Sequence, residues 1–354
     1  MYDERMKAVY SRNEYFEMLA SDVAALGAGD RVTLATMSFA PQDAQVGAIL
    51  RALNEAARRG VVVKLIVDAY VFLLHNGRRP GPYFFGTTLP ARLARPFRRI
   101  HEALEELRAS GGQYAVINQP HRPLSLPLAG RSHIKFGIIN DRVFIGGCNL
   151  DGGGTADIMA GWQDSSTAEW LEELAGSMMS SGSAMAALDG QDIIRTLSSS
   201  STIVVDAGVA GRSLIFEQAM ALIDSAQEHV FIACQFFPND ITAKHLLAAH
   251  KRGAAVEILY NHPSQHTLPH NALHHYVVGA ERMRLPKSFF VQSLRPHRPF
   301  LHAKLIATEQ GAMMGSHNFV TAGIKLGTAE IALLERDPEF GRRAVAAIRA
   351  QLTG

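Results

Sequence analysis

The sequence predicts an α/β protein made of two similar domains. Each is expected to be a mixed, largely parallel sheet flanked by helices, and the two should pack as a pseudo-two-fold pair with the active site between them. Three observations predict this. One stretch occurs twice, as RSHIKFGIINDRVFIGGCN (131–149) and FLHAKLIATEQGAMMGSHN (300–318). A β-α-β pattern precedes each copy. Short matches outside both copies mark an internal duplication.

Each copy opens with His-x-Lys, His133 and Lys135 in the first and His302 and Lys304 in the second. Gly146 and Gly315 sit at one common offset from the histidine, Asn149 and Asn318 at another. Residues i and i+2 of a strand share a face. The apolar runs FGII and LIA, followed by VFIG and AMMG, therefore read as hairpins turning at 140–142 and 309–311. Imidazole can attack or carry a proton at neutral pH. Lysine offers a compact positive charge to a phosphate oxygen, and the asparagine amide offers further hydrogen bonds. One copy makes half of a phosphate site; two facing copies make a whole one.

Taken in order, EYFEMLASDVAAL (14–26) has helical spacing and RVTLATMSF (31–39) reads as a strand. AILRALNEAARRG (48–60) reads as a helix and VVVKLIVD (61–68) as a buried strand. The unit recurs as a helix at 217–226, a strand at 229–237, a helix at 241–253 and a strand at 254–261. SFAPQ answers FFPND, AARRGVVVKLIVD answers AHKRGAAVEILYN, and GTADIMA (154–160) answers GTAEIAL (327–333). Domains are expected at 1–185 and 201–354, with a linker at 186–200 around the serine run.

The paired motifs resemble those of the phospholipase D superfamily, H-x-K-x4-D followed by G-G/S-x-x-N, and the resemblance covers most of the chain. Asn140 and Glu309 stand where that pattern has aspartate. The resemblance implies double displacement on a phosphodiester. His133 would be the nucleophile and His302 the acid/base. Lys135, Lys304, Asn149 and Asn318 would hold the non-bridging oxygens. Downstream carboxylates against the histidines would be Asp157 and Glu330, with Asp164 as a substitute for Asp157. Asn140 and Glu309 are expected to support the site, and Gly147, Ser316 and Arg298 to contact substrate. No cofactor and no metal is expected.

Composition bounds the partners. The net charge of +2 argues against a strongly basic nucleic-acid wrapper but leaves room for a local anion site. Two cysteines, Cys148 and Cys234, make no disulfide framework, and Cys148 reads as a packing residue. No signal peptide and no membrane-spanning run is visible. The expected location is the cytoplasm or the membrane periphery. The expected substrate is a phospholipid at a membrane surface, with nucleic acid ranked below it, and a non-catalytic anion or membrane binder is a third reading. A monomer would suffice for one active site. The arginines and aromatics of 76–99 read as a packed loop or as an interfacial one. The five histidines between 262 and 275 resemble metal ligands, but Pro263 and Pro269 break the helix that would align them.

Overall fold

The computed structural model describes residues 7–75, 79–80, 91–119, 130–152, 154–266, 270–291, 293–294 and 299–353. The N-terminal half has strands β1 (Ala8–Ser11), β2 (Arg31–Thr36), β3 (Val62–Asp68), β4 (Leu74–His75), β5 (Arg79–Pro80), β6 (Gln113–Ile117), β7 (Phe136–Ile139), β8 (Arg142–Gly146), β9 (Thr155–Ala156) and β10 (Ile158–Gln163). The C-terminal half has β11 (Ile193–Thr196), β12 (Ser201–Ala207), β13 (His229–Cys234), β14 (Ala255–Asn261), β15 (Ser293–Leu294), β16 (Phe300–Leu301), β17 (Leu305–Thr308), β18 (Gly311–Gly315) and β19 (Ala329–Glu335).

The first sheet runs β1-β10-β8-β7-β2-β3-β6, and the second runs β11-β12-β19-β18-β17-β13-β14-β15. Without β11 the orders superpose strand for strand, so the duplication read from short matches extends to whole sheets. Each sheet is mixed. Within these two sheets parallel pairing is confined to β2-β3-β6 and β13-β14-β15, where helices make the crossovers. The remaining pairs are antiparallel, because hairpins such as β7-β8 and β17-β18 reverse the chain. The sheets are therefore less parallel than the β-α-β units alone suggested. The expected linker also carries structure: β11 pairs with β12, and Ser198–Ser201 closes the hairpin between them.

Side-chain alternation sorts the core into three bodies. Along the N-terminal sheet, Ile138, Ile145 and Ile158 face a central core, while Ile139, Phe144 and Met159 face an outer one. The central core also takes Leu171 and Met178 from the helix Ser165–Ser181, Phe340 and Ile348 from the helix Pro338–Thr353, and Ile331 and Leu333 from the second sheet. The halves thus share one hydrophobic interior. The outer cores hold the helices Arg12–Ala25 and Ala44–Arg58 on one side and Leu214–Ser225 and Asp240–Arg252 on the other.

Candidate active site

His133 and His302 lie outside the assigned strands, just before β7 and β17, and the stretch leading into each is gripped from the end of the β-α-β unit. Asp68, fully buried at the end of β3, accepts from Ser132 N–H at 2.7 Å, from Asn118 Nδ2 at 2.8 Å and from Tyr70 N–H at 2.7 Å. Arg131 Nη1 lies 3.4 Å away. Burial pushes the Asp68 carboxyl up, against the pull of Arg131 and these donors. Asn261 is the counterpart at the end of β14. Its Oδ1 accepts from Leu301 N–H and its Nδ2 donates to Leu301 O, both at 2.7 Å. In each half the gripped residue immediately precedes the histidine. The match of VVVKLIVD with AAVEILYN places Asp68 and Asn261 at one repeat position, which is the sequence signal for the pair.

Each histidine is completed by the other half. His133 N–H donates to Ala329 O at 2.7 Å, and His302 N–H donates to Ala156 O at 2.9 Å. β16 pairs with β9, and Ser132 bridges Ala329 in the same way. The residues after Ala156 and Ala329 are Asp157 and Glu330. Each acid thereby arrives beside the histidine of the opposite half: His302 Nδ1 lies 2.6 Å from Asp157 Oδ2, and His133 Nδ1 lies 2.9 Å from Glu330 Oε1. A carboxylate can only accept, so Nδ1 carries the proton and Nε2 is left for chemistry. Gln351 clamps Asp157 through its backbone, accepting from N–H at 3.2 Å and donating to O at 3.1 Å.

The electrostatics follow from the pairing. Burial alone would raise Glu330, but His133, His317 and Lys135 bring it down to about 2. Asp157 is likewise held below its usual range, with His302 and Lys304 outweighing burial. His302 is pushed down by burial and by Lys304, against the pull of Asp157. Lys135 is lowered by burial, and Lys304 falls to about 8 for the same reason; each lysine feels both carboxylates. Lys135 Nζ donates to His133 O at 2.8 Å, and Lys304 Nζ donates to His302 O while lying 3.0 and 3.1 Å from the ring nitrogens. Both lysines are 2 % exposed. Asn149 Oδ1 accepts from Ser38 N–H at 3.3 Å, whereas Asn318 Oδ1 is buried without a partner among the described residues. A buried amide oxygen left without a partner fits a position that takes a ligand.

The glycines of the motif hold the acid strand close. A Cβ at Gly146 would collide with Ile158 O, and one at Gly315 with Ile331 O. Gly147 leaves room for the Asp157 carboxylate itself. Its counterpart Ser316 instead donates its hydroxyl to Glu330 Oε2. Cys148 and Cys234 are buried free thiols, and burial pushes the Cys148 thiol far up, which makes it inert.

Three expectations move away from the chemistry. Asn140 sits in the hairpin turn with φ of 52°, accepts from Arg31 N–H at 3.0 Å and donates to Asp30 Oδ1 at 3.1 Å. Glu309 accepts from Gln227 N–H at 2.7 Å and His229 N–H at 3.2 Å. Both brace the start of a neighbouring strand, a task that needs an acceptor and not a charge. Asp164 caps the helix Ser165–Ser181 by accepting from Thr167. Arg298, Tyr83–Phe85 and the two His-Arg-Pro triplets lie outside the described residues or run into them. Two histidines of the histidine-rich segment pack inward while His275 is exposed: His266 stacks on Phe236 at 4.9 Å, and His274 Nε2 accepts from Phe237 N–H at 2.9 Å. Among the described residues no group of three or more such side chains is placed to hold a metal ion.

The walls break the two-fold symmetry, and single-copy motifs gave no sign of it. Asp206 faces Glu330 across the β12-β19 ladder, and burial raises its carboxyl to about 7. At the matching place beside Asp157 stands Arg12, whose N–H donates to Asp157 O at 2.9 Å. Ser38 bonds the Asp151 carboxylate, which lies in the field of His302; their counterparts by repeat position are Phe236 and Val320. His317, the counterpart of Cys148, is a buried histidine pushed down to about 4 by burial.

A family model described as cardiolipin synthase, PLD-like domain, matches residues 25–178 and 219–350, one segment in each half. No curated protein sequence matches the chain. Among solved structures, the chain is similar to phosphatidylserine synthase from Haemophilus influenzae Rd KW20, at 14 % identity, covering 99 % of this chain and 86 % of that one with a TM-score of 0.69. It is also similar to polyphosphate kinase from Porphyromonas gingivalis, at 13 % identity, covering 98 % and 50 % with a TM-score of 0.55. At these identities both likenesses speak to the fold. The family model spans most of both halves, including each His-x-Lys and its downstream acid. The chain belongs to the family of cardiolipin synthase, phospholipase D-like domains.

Proposed function

We propose that the protein is a phosphodiester hydrolase or transphosphatidylase acting on phospholipids through a phosphohistidine intermediate. The observation that carries the reading is the reciprocal pairing of His133 with Glu330 and His302 with Asp157. It presents two oriented imidazoles and two buried lysines in one electrostatic neighbourhood.

His133 Nε2 attacks phosphorus with its lone pair. The bond from phosphorus to the leaving alcohol oxygen breaks, and His302 gives that oxygen its proton. The incoming water or alcohol then yields its proton to His302, its oxygen attacks phosphorus, and the P–N bond breaks. Lys135, Lys304, Asn149 and Asn318 hold the non-bridging oxygens, where a preorganised contact is worth ~3–4 kcal/mol of barrier. The Asp151 carboxyl, bonded by Ser38 and lying in the field of His302, supports the alcohol side being there, since a carboxylate suits an acceptor with a second hydrogen-bond donor. For this step His302 enters as the imidazolium, whose charge Asp157 supports against burial and Lys304.

Rapid-quench mass mapping on a phospholipid panel, with and without glycerol, tests this. An acid-labile phosphoryl adduct on His133 and a phosphatidylglycerol product are expected. No adduct on either histidine defeats double displacement, and an adduct on His302 alone reverses the assigned roles.

A further inference from the structure

The four most exposed large apolar side chains among the described residues fall within one short stretch. They are Leu273 at 62 %, Tyr276 at 75 %, Met283 at 85 % and Val291 at 74 %. Three lie on or just after the helix His270–Arg282. At 3.6 residues per turn, Ala272, Tyr276, Gly279 and Met283 stack into a solvent-facing stripe with Leu273 beside it. The opposite face holds the buried His274, Val278, Glu281 and Leu285. The helix is therefore anchored by one side and carries an uncovered apolar stripe on the other.

The flanks of the stripe are basic. Exposed His275 and Arg282 border one edge, Arg284 the other, and Lys287 follows in the next turn. Arg282 lies over the Phe290 ring at 5.5 Å, and Arg284 pairs with the buried Glu281 at 3.5 Å. An apolar face bordered by cations on an in-plane helix is the pattern that inserts into the headgroup boundary of an anionic bilayer.

The anchored face connects to the candidate site. His274 accepts from Phe237 N–H; the Phe236 ring packs against His274 at 5.7 Å and His266 at 4.9 Å; and His266 packs edge-on to Phe300 at 5.4 Å. Phe300 and Leu301 form β16, directly before His302. We propose that the stripe Ala272–Leu273–Tyr276–Met283, with Arg282, Arg284 and Lys287, is a docking surface for an anionic lipid bilayer, and that it brings the C-terminal wall of the cleft to the membrane. The claim rests on the phospholipid reading only for its purpose, not for its chemistry.

Sedimentation with vesicles of phosphatidylglycerol and phosphatidylcholine, against phosphatidylcholine alone, tests it on the full chain. Binding is expected to favour the anionic vesicles and to weaken as salt rises. Tyr276→Ser with Met283→Ser should weaken it tenfold or more at unchanged melting temperature, and Arg282→Glu with Lys287→Glu should abolish the preference for anionic lipid. A Met283→Trp reporter should shift its emission to the blue on vesicle addition. Equal binding of the serine variant and the wild type, or an unshifted tryptophan, overturns the proposal. The rate on vesicles relative to that on a monomeric short-chain phospholipid should fall tenfold in the serine variant. No turnover of the monomeric substrate by the wild type defeats the phospholipid-enzyme reading alone, since vesicle binding is read independently.

Discussion

Replacing Asp157 with asparagine tests the reciprocal architecture directly. The Asp157 side chain is 1 % exposed and lies 2.6 Å from His302 Nδ1, and its backbone is clamped by Gln351. An amide in its place keeps the volume and removes the charge. It also ceases to fix the tautomer, because the amide can donate to Nδ1 and move the proton to Nε2. Breaking a buried charged pair costs about 3–5 kcal/mol. If that loss falls on the chemical step, at ~1.36 kcal/mol per decade, kcat drops by about 10²- to 10⁴-fold. The assay is headgroup release from a phospholipid, in a double-mutant cycle. Asp157→Asn should be strongly non-additive with His302→Ala and nearly additive with Glu330→Gln, which acts on the other histidine, although residue 157 lies much nearer in sequence to 133. Strong coupling to Glu330→Gln, or a loss below tenfold, would refute the reasoning.

Gly147→Ala should cost at least as much as Asp157→Asn, because the added methyl collides with the Asp157 carboxylate; Ser316→Ala, which only loses a hydroxyl, should cost far less in the same kinetic assay. Asn140→Ala should lower stability by about 2 kcal/mol in urea titration while leaving kcat within twofold, since it loses hydrogen bonds of ~1 kcal/mol each and strains a left-handed backbone. Lys304, lowered to about 8 by burial, should produce an alkaline limb in kcat/KM near pH 8, and Lys304→Arg should remove that limb even where it lowers the rate. Asp206 is raised from 3.8 to about 7, so the folded state holds its proton where the unfolded chain has released it. Its contribution is full below pH 3.8 and is lost as pH rises through 7, by up to ~4 kcal/mol. Asp206→Asn should flatten that slope in melting curves recorded from pH 4 to 8.

How much was legible beforehand varies by element. The strands and helices of both β-α-β units fall where periodicity put them, because each buries its own apolar face and needs only local sequence to declare it. The glycine and asparagine offsets were visible for the same reason, as they belong to one hairpin. Asn140 and Glu309 were expected to support the site, and spacing alone does not tell a residue that braces a turn from one that supports the chemistry. The exposed stripe on the helix His270–Arg282 was hidden by the histidines in and before it, which suggested ligands although His266 and His274 pack inward against Phe236.

By itself the chain's residue order determined that there are two equivalent halves, that each presents His, Lys and Asn together, and that Asp157 and Glu330 follow at matching positions. Only the packing of the two sheets decided which acid meets which histidine. The backbone bonds from His133 to Ala329 and from His302 to Ala156 cross between halves. No local pattern encodes such a crossing, because it depends on how two finished surfaces meet. The same holds for Asp206 and Arg12, which matter only through the carboxylates that the folded ladders set beside them.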